Sequence, residues 1–295
     1  MNDNNGSQPA GPPPAPKSQE GRQQAPKSQE AGPQVPKGQE ALRAPAPPAP
    51  SGGPDPGGEA ARIAAVAPFR SPEEESGEQT AWSLKAWRAA APVLEKILEH
   101  PFINGLLDGT LPRERFLFYI GQDALYLADY GRLLAAASLK AENDKDAAFL
   151  CESALAAVQV EGALHESYLK GEKRAATPTP ANLLYTSYLY RHLSRSPFST
   201  IMASLLPCFW IYQSVGRHML ALAGNASHNP YRDWISTYGG EEFGRSVEKA
   251  VRICDRLAAG ETPKGREGML DAFMTASRME WMFWDSAWKM EPWPV

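Results

Sequence analysis

The chain has 295 residues, of which 43% are hydrophobic and 9% aromatic, enough to bury a full-sized core. Its net charge is −4 and its isoelectric point about 5.8, so it lacks the basic surface expected of a nucleic-acid-binding protein. We find neither a secretory leader nor a stretch approaching the roughly 20 apolar residues of a membrane span, and therefore expect a soluble, cytoplasmic protein without a membrane partner.

Residues 1–78 are predicted to form a disordered extension. Many of the 27 prolines lie there, among Ala, Gln, Gly, Ser and Lys, and such a segment buries too little apolar area to offset the entropy of ordering. Pro16–Glu20 recurs as Pro26–Glu30 and, with glycine as its third residue, as Pro36–Glu40. A ten-residue period this polar indicates low complexity rather than a solenoid. One folded domain is predicted at residues 79–295.

This domain is predicted to be all-α, because its apolar residues repeat at helical spacing and no alternation typical of a strand persists. About seven helices are expected. The first begins near Ala81 and ends around His100-Pro101, where proline disfavours helical geometry in the residue before it. The segment from Asp108 to Pro112 has the composition of a turn.

The second and third helices carry polar side chains on faces that should point inward. Asp123 lies on the apolar stripe of the second helix, and Glu161 and His165 lie on that of the third. Buried carboxylates are costly unless paired, so these groups are either satisfied within a core or gathered around a polar cavity. With Glu280 they could also form an iron site, although the repeated Glu and His spacing of a di-iron bundle is missing. A hydrogen bond between Glu161 and His165 is the simpler interpretation.

The three cysteines, Cys151, Cys208 and Cys254, are widely spaced and odd in number, which favours reduced thiols over a disulfide or a zinc site. Cys208 follows Pro207 within an apolar helix. Proline lacks the N–H that would bond to Ala203, so a kink or a new helix start is predicted there.

Cys208 shares an inward stripe with Tyr212, and Glu280 lies inward on the last helix. A thiol and a carboxyl group suit nucleophilic chemistry, in which sulfur attacks an electrophilic carbon while the carboxyl group moves a proton. An inert, packed cysteine explains the same pattern, since free cysteines are among the most buried residues. Periodicity leaves both interpretations open.

Aromatic residues recur on the same inward faces. They either fill the core or form a slot for a flat, polar heteroaromatic ring, whose amino group and ring nitrogens carboxylates would recognise. The candidates are Tyr126, Tyr130, Tyr185, Phe209, Tyr212, Tyr238 and Phe283.

Seven short motifs, taken in order, resemble the thiaminase II (TenA) family over nearly the whole region from about 82 to 290. They are His100-Pro101-Phe102, Gly109-Thr110-Leu111, Gln122-Asp123 with Tyr126-Leu127, Tyr185-Thr186-Ser187, Leu206-Pro207-Cys208-Phe209-Trp210, Tyr238-Gly239-Gly240, and Glu280 with Phe283-Trp284. No single motif decides the match, but their order and spacing are specific.

The resemblance implies a haem-oxygenase-like helical bundle without haem, metal or other cofactor, commonly a homotetramer. It also implies hydrolysis of 4-amino-5-aminomethyl-2-methylpyrimidine to the 5-hydroxymethyl product in thiamine salvage, with slower cleavage of thiamine. Cys208 matches the family nucleophile, which identifies the cysteine-containing branch, and Glu280 matches its acid/base. Asp123 corresponds to the carboxylate that holds the pyrimidine amino group. The matching pocket aromatics are Tyr126, Tyr185, Tyr212, Tyr238 and Phe283.

The chain departs from the family pattern at two positions. Leu125 stands where another aromatic is common, and Ser214 where an acidic residue is common, so both are expected to alter the pocket and its preferred substrate. Two other functions stay open: a regulator or carrier that binds a pyrimidine without converting it, and an iron oxygenase on the same scaffold.

Overall fold

The structure is a computed structural model that describes residues 81–169, 177–223 and 228–295, apart from the side chains of residues 160–167, 169 and 223. The described residues form nine helices and no strand. In chain order they are α1 (Trp82–Leu98), α2 (Pro101–Asp108), α3 (Arg113–Ser138), α4 (Asp144–Leu169), α5 (Pro180–Arg195), α6 (Phe198–Ala223), α7 (Arg232–Gly239), α8 (Glu241–Gly260) and α9 (Pro263–Lys289).

The predicted all-α class is confirmed for these residues, but the count of about seven helices was too low. The two unpredicted helices, α2 and α7, have eight residues each. Segments this short show barely two turns of periodicity, and the last residues of α7, Tyr238 and Gly239, are followed directly by Gly240 as its C-cap. The predicted extension at 1–78 lies outside the described residues, as do the side chains of Glu161 and His165.

Helices α6 and α9 form the centre of the domain. They pack along each other, and between them they also contact α1, α3, α5, α7 and α8, while α3 packs chiefly against α4. By length and composition, Phe198–Leu222 within α6 could cross a membrane, contrary to our expectation that no segment would. However, 94% of its most apolar stretch is buried inside the protein. This burial explains its composition as that of a core helix.

Pro207 does not interrupt α6, which runs as one helix from Phe198 to Ala223. The predicted restart of the helix was therefore wrong. The neighbouring turn is held from outside the helix, because the Tyr130 hydroxyl of α3 donates a 2.8 Å hydrogen bond to the carbonyl of Leu205.

The ends of α2 and α5 follow from local sequence. Gly109 ends α2 with φ at 77°, a left-handed conformation that glycine adopts without steric cost, in agreement with the predicted turn. At the start of α5, Pro180 occupies the first turn and Thr179 Oγ1 accepts a hydrogen bond from the N–H of Asn182.

Helices α6 and α7 approach each other closely at two glycines. A Cβ atom on Gly216 would lie 2.4 Å from the nitrogen of Gly239, and one on Gly239 would lie 2.7 Å from the carbonyl oxygen of Gly216. Only hydrogen side chains allow this contact. It brings Tyr238, at the end of α7, against α6.

Candidate functional site

The predicted site residues come from five helices and all lie in the core. Asp123 and Tyr126 lie on α3, Tyr185 on α5, Cys208 and Tyr212 on α6, Tyr238 on α7, and Glu280 and Phe283 on α9. Their exposed fractions range from 1% for Tyr185 and Glu280 to 9% for Cys208. The Asp123 to Tyr126 spacing of three residues and the Cys208 to Tyr212 spacing of four place each pair on one helix face.

The Cys208 thiol is a neutral group in the resting protein. Burial raises its pKa well above the ordinary value, and the charge of Glu280 raises it further. The hydroxyls of Tyr126 and Tyr130 lower it, with a further increase from Asp123. Because the opposing hydroxyls do not cancel the burial, sulfur needs a partner to take its proton before it can act as a thiolate.

Glu280 is the acidic partner of this thiol. Its carboxyl oxygen Oε1 accepts a 2.7 Å hydrogen bond from the Tyr185 hydroxyl. Burial raises the pKa of Glu280 to about 8, the Tyr185 bond lowers it, and Asp123 raises it. Near neutral pH the Glu280 carboxyl is therefore mostly protonated and able to donate a proton.

A cavity of about 530 Å³ opens beside Cys208. Its wall includes five of the eight predicted residues: Asp123, Tyr126, Cys208, Tyr212 and Tyr238. Other residues of α3, α6 and α7 also line it, together with side chains of α4 and α8, among them Ser153, Gln159, Glu242 and Ser246. A pocket of this size holds a small ligand, and its mixture of aromatic rings, hydroxyls and carboxylates suits a polar heteroaromatic molecule.

The other three predicted residues are not on the wall of this cavity. Tyr185 and Phe283 pack behind Tyr126, with ring centroids 5.0 and 5.7 Å from its ring, and Glu280 is held by Tyr185. The predicted set thus forms two layers. The Tyr126 ring lies on the cavity wall and also packs against the rings of the second layer. Its hydroxyl makes no hydrogen bond of good geometry with any described residue, but it lowers the pKa of Cys208.

Several aromatic neighbours of the site were not predicted as site residues. Tyr119 lies one turn before Asp123, and its hydroxyl accepts a 3.2 Å hydrogen bond from Trp234 and lies 3.5 Å from that of Tyr212. After burial, the charge of Asp123 is the largest influence raising the pKa of both Tyr119 and Tyr238. Asp123 therefore lies among tyrosines from three helices.

The four α3 residues 119, 123, 126 and 130 share one face, so their spacing could have indicated Tyr119 and Tyr130. No sequence signal marks Trp234, because it lies on the unpredicted helix α7. Neither Leu125 nor Ser214 lines the cavity. The two departures from the family pattern are therefore not on the wall of this cavity, contrary to the expectation that they alter it directly.

Most of the described domain matches a known protein family. Residues 87–290 match the family model described as the TENA/THI-4/PQQC family. The aminopyrimidine aminohydrolase of Bacillus subtilis (strain 168) is 34% identical over 211 residues, which cover 70% of this chain and 89% of that protein.

Solved structures agree with the sequence match. A TenA homologue protein from P. horikoshii OT3 superposes with a TM-score of 0.63 and 30% identity, covering 71% of this chain and 99% of the other. A domain of unknown function with a haem-oxygenase-like fold from Shewanella denitrificans OS217 gives a TM-score of 0.56 at 16% identity, over 70% of this chain and 92% of that one. The latter likeness concerns the fold alone, and it agrees with the predicted haem-oxygenase-like bundle.

Proposed function

Because the chain belongs to the TENA/THI-4/PQQC family, we propose that it is an aminopyrimidine aminohydrolase of thiamine salvage. Its substrate would be 4-amino-5-aminomethyl-2-methylpyrimidine, with slower cleavage of thiamine. One observation carries the proposal: a buried thiol lies on the wall of an aromatic cavity beside the carboxyl group of Asp123, and its pKa is raised by the buried Glu280, whose own pKa is about 8.

Binding is assigned to the cavity wall. Asp123 would accept hydrogen bonds from the 4-amino group, and the rings of Tyr126, Tyr212 and Tyr238 would pack on the faces and edges of the pyrimidine. Tyr185 and Phe283 would support Tyr126 from behind, so their contact with substrate is indirect. This arrangement fixes the ring in one orientation with a ring carbon facing sulfur.

Covalent addition comes first. An electron-rich aminopyrimidine accepts a thiolate only if a ring nitrogen gains a proton as the carbon–sulfur bond forms. In our proposal Glu280 donates its proton to that nitrogen, and its carboxylate then accepts the proton released by Cys208. The net result is addition of S–H across one ring double bond, with Glu280 returned to its protonated state.

Exchange of the leaving group follows. Electrons of the dearomatised ring expel the amine from the exocyclic methylene group as ammonia, with a proton supplied by Glu280, and the methylene carbon becomes an electrophile. Water adds its oxygen to that carbon, returns the electron pair to the ring and gives up one proton to the Glu280 carboxylate. The carbon–sulfur bond then breaks, Cys208 recovers its proton, and the ring regains aromaticity.

The test is turnover of the aminomethyl pyrimidine by purified full-length protein. We expect equal amounts of ammonia and the hydroxymethyl product, and no product from Cys208→Ser. The protein would instead be a regulator or carrier if it bound the pyrimidine tightly but formed no product, and if Glu280→Gln did not change its affinity. Full turnover by Cys208→Ser would contradict the proposed nucleophile.

We further propose that residues 79–295 form the catalytic domain, that 1–78 are an appendage, and that the protein is a cytoplasmic homotetramer. The family match over residues 87–290 supports the domain limits. Removal of residues 1–78 should leave kcat/KM unchanged, and light scattering should give four times the chain mass of 32.2 kDa. A large loss of activity on truncation would contradict the role of an appendage.

A further inference from the structure

A cluster of buried polar side chains lies next to the site and joins three of the helices that build it. We call Gln122 on α3, Thr179 and Asn182 at the start of α5, and Ser286 on α9 the polar clamp. None of the four is more than 5% exposed. Polar groups this deeply buried hold a single arrangement of the surrounding helices when their hydrogen bonds are complete.

Gln122 is the centre of the polar clamp. Its side-chain oxygen accepts hydrogen bonds from the N–H of Thr179 at 2.8 Å and from Nδ2 of Asn182 at 3.1 Å. Its side-chain nitrogen donates to the carbonyl of Thr177 at 3.1 Å, and its backbone carbonyl accepts from Asn182 Nδ2 at 2.9 Å. Both ends of the Gln122 amide are therefore used to attach α5 to α3.

Thr179 extends the connection to α9. Its hydroxyl oxygen accepts the N–H of Asn182 at 3.2 Å, which caps α5, and also accepts a 3.0 Å hydrogen bond from the hydroxyl of Ser286. Thr179 is thus bonded to Gln122 on α3 through its backbone N–H and to Ser286 on α9 through its hydroxyl. Helices α3, α5 and α9 meet at this point.

Each of these helices carries site residues within two turns of the polar clamp. Gln122 precedes Asp123 directly and lies one turn before Tyr126. Asn182 lies one turn before Tyr185, about 4.5 Å along the helix axis. On α9, Ser286 lies within two turns of Glu280. Since an α-helix is stiff over such a distance, the position of Asn182 fixes where the Tyr185 side chain lies along α9.

We propose that Gln122 and Asn182 are positioning residues, whose hydrogen bonds hold α5 against α3 in the register at which the Tyr185 hydroxyl reaches Glu280. This inference rests on the proposed function only for its effect on turnover. The contact it explains is the 2.7 Å hydrogen bond between Tyr185 and Glu280.

A clamp that only stabilised the fold would have no effect on the pKa of Glu280. The groups that face this carboxyl are Tyr185 on α5, Asp123, Tyr126 and Tyr130 on α3, Cys208 and Tyr212 on α6, and Tyr238 on α7. Of the influences on the Glu280 pKa, the Tyr185 bond is the one that lowers it. Displacing Tyr185 must therefore raise the pKa of Glu280 above its value of about 8.

The experiment measures this pKa without turnover. Unfolding free energy of the full-length protein is followed against pH with and without Glu280→Gln, and the difference reports the Glu280 pKa. We expect Gln122→Met to raise that pKa by about one pH unit, and to move the alkaline limb of the kcat/KM profile upward by the same amount. Gln122→Met keeps the length of the side chain but removes every hydrogen bond of the amide.

Thr186→Val is the matched control. Thr186 is buried on α5 beside Tyr185, but its hydroxyl bonds only to carbonyls of Asn182 and Leu183 in the same helix. It should lower stability and leave the pKa of Glu280 unchanged. If Gln122→Met does not fold, Asn182→Leu tests the same register, because it removes the side-chain amide that donates to Gln122 and keeps a similar volume.

Two outcomes separate this inference from the proposed function. An unshifted Glu280 pKa in folded Gln122→Met, or in folded Asn182→Leu, would overturn the positioning role even if the protein hydrolyses aminopyrimidines. A shifted pKa in a protein that converts no pyrimidine would support the positioning role and remove the proposed hydrolase activity.

Discussion

The two layers of the site beside Cys208 differ in their access to the cavity. On one side α3, α6 and α7 present Asp123, Tyr212 and Tyr238 to a cavity of about 530 Å³. On the other side α5 and α9 hold Tyr185 and Glu280 in a closed layer, where the one carboxyl group is 1% exposed and hydrogen-bonded. Cys208 lines the cavity, and the charge of Glu280 acts on the pKa of its thiol.

This difference explains why the eight predicted site residues come from five helices. Burial keeps the pKa of Glu280 near 8, so this carboxyl group holds its proton near neutral pH. Asp123, by contrast, lies on the cavity wall, where its proposed role is to accept hydrogen bonds from the amino group. Changes on the cavity side should alter substrate binding, and changes on the closed side should alter proton transfer.

The largest effect is expected at the boundary between the two sides. Cys208→Ala removes the atom that forms the covalent bond, so kcat should fall by roughly four orders of magnitude, while the cavity wall keeps its affinity for the hydroxymethyl product. Calorimetry of product binding beside a turnover assay measures both quantities.

Cys254→Ala is the matched control, because Cys254 is fully buried on α8 and does not line the cavity. It should cost some stability and retain the wild-type rate. Equal losses of activity in the two variants would show that packing, rather than sulfur chemistry, explains the effect of Cys208→Ala.

Glu280→Gln should separate activity from stability. Loss of the proton donor should reduce kcat by about 10²-fold to 10⁴-fold. The folded protein binds this proton with a pKa of about 8, and the unfolded chain with a pKa near 4.5. The free energy of unfolding therefore falls as pH rises from 4.5 to 8, by up to roughly 5 kcal/mol.

Glutamine carries no such proton, so Glu280→Gln should lack this fall and should exceed the wild type in stability near pH 9. Its amide oxygen can still accept the Tyr185 hydrogen bond. Urea unfolding at pH 5, 7 and 9 tests the difference. Parallel pH curves for wild type and variant would contradict the buried, protonated carboxyl group.

Gly216→Ala should disturb the cavity side alone. The new Cβ would meet backbone atoms of Tyr238 and Gly239 within 2.6 Å, so α7 must move and carry the Tyr238 ring away from Tyr212. We expect a loss of about 1–3 kcal/mol in stability and about a tenfold rise in KM. Differential scanning fluorimetry and steady-state kinetics measure these changes.

Gly268→Ala on α9 provides the contrast, since a Cβ there meets nothing within 4 Å. Alanine is the better helix former, so this variant should gain about 0.5–1 kcal/mol and keep the wild-type KM. A KM for Gly216→Ala equal to that of wild type would mean that the Tyr238 position does not limit binding.

The inward residues of the long helices could be predicted from sequence, and the layers between them could not. Periodicity identified Asp123, Cys208 and Glu280 as inward because each lies on a helix long enough to show a stripe. It did not separate Tyr238, which faces the cavity, from Phe283, which packs behind Tyr126. That distinction depends on how helices from distant parts of the chain approach one another.

Pro207 shows a second limit of local inference. Its sequence context predicts a kink or a new helix start, yet no new helix starts there, because α6 continues through Pro207 with the Tyr130 hydroxyl donating to the carbonyl of Leu205. Gln122 was visible only as the neighbour of Asp123 in a motif. Its role at the centre of the polar clamp depends on Asn182, which lies 60 positions later in the chain.

The smallest expected effect is also the most direct probe of the closed side. Tyr185→Phe keeps the ring behind Tyr126 and removes only the hydroxyl that donates to Glu280. Because that hydrogen bond lowers the pKa of Glu280, its loss should raise this pKa, and the alkaline limb of the rate profile should move upward from about pH 8 by roughly one unit. Activity below that limb should change little, since the carboxyl group stays protonated there. A limb that moved downward, or a KM that rose in its place, would mean that the Tyr185 hydroxyl acts on the substrate and not on Glu280.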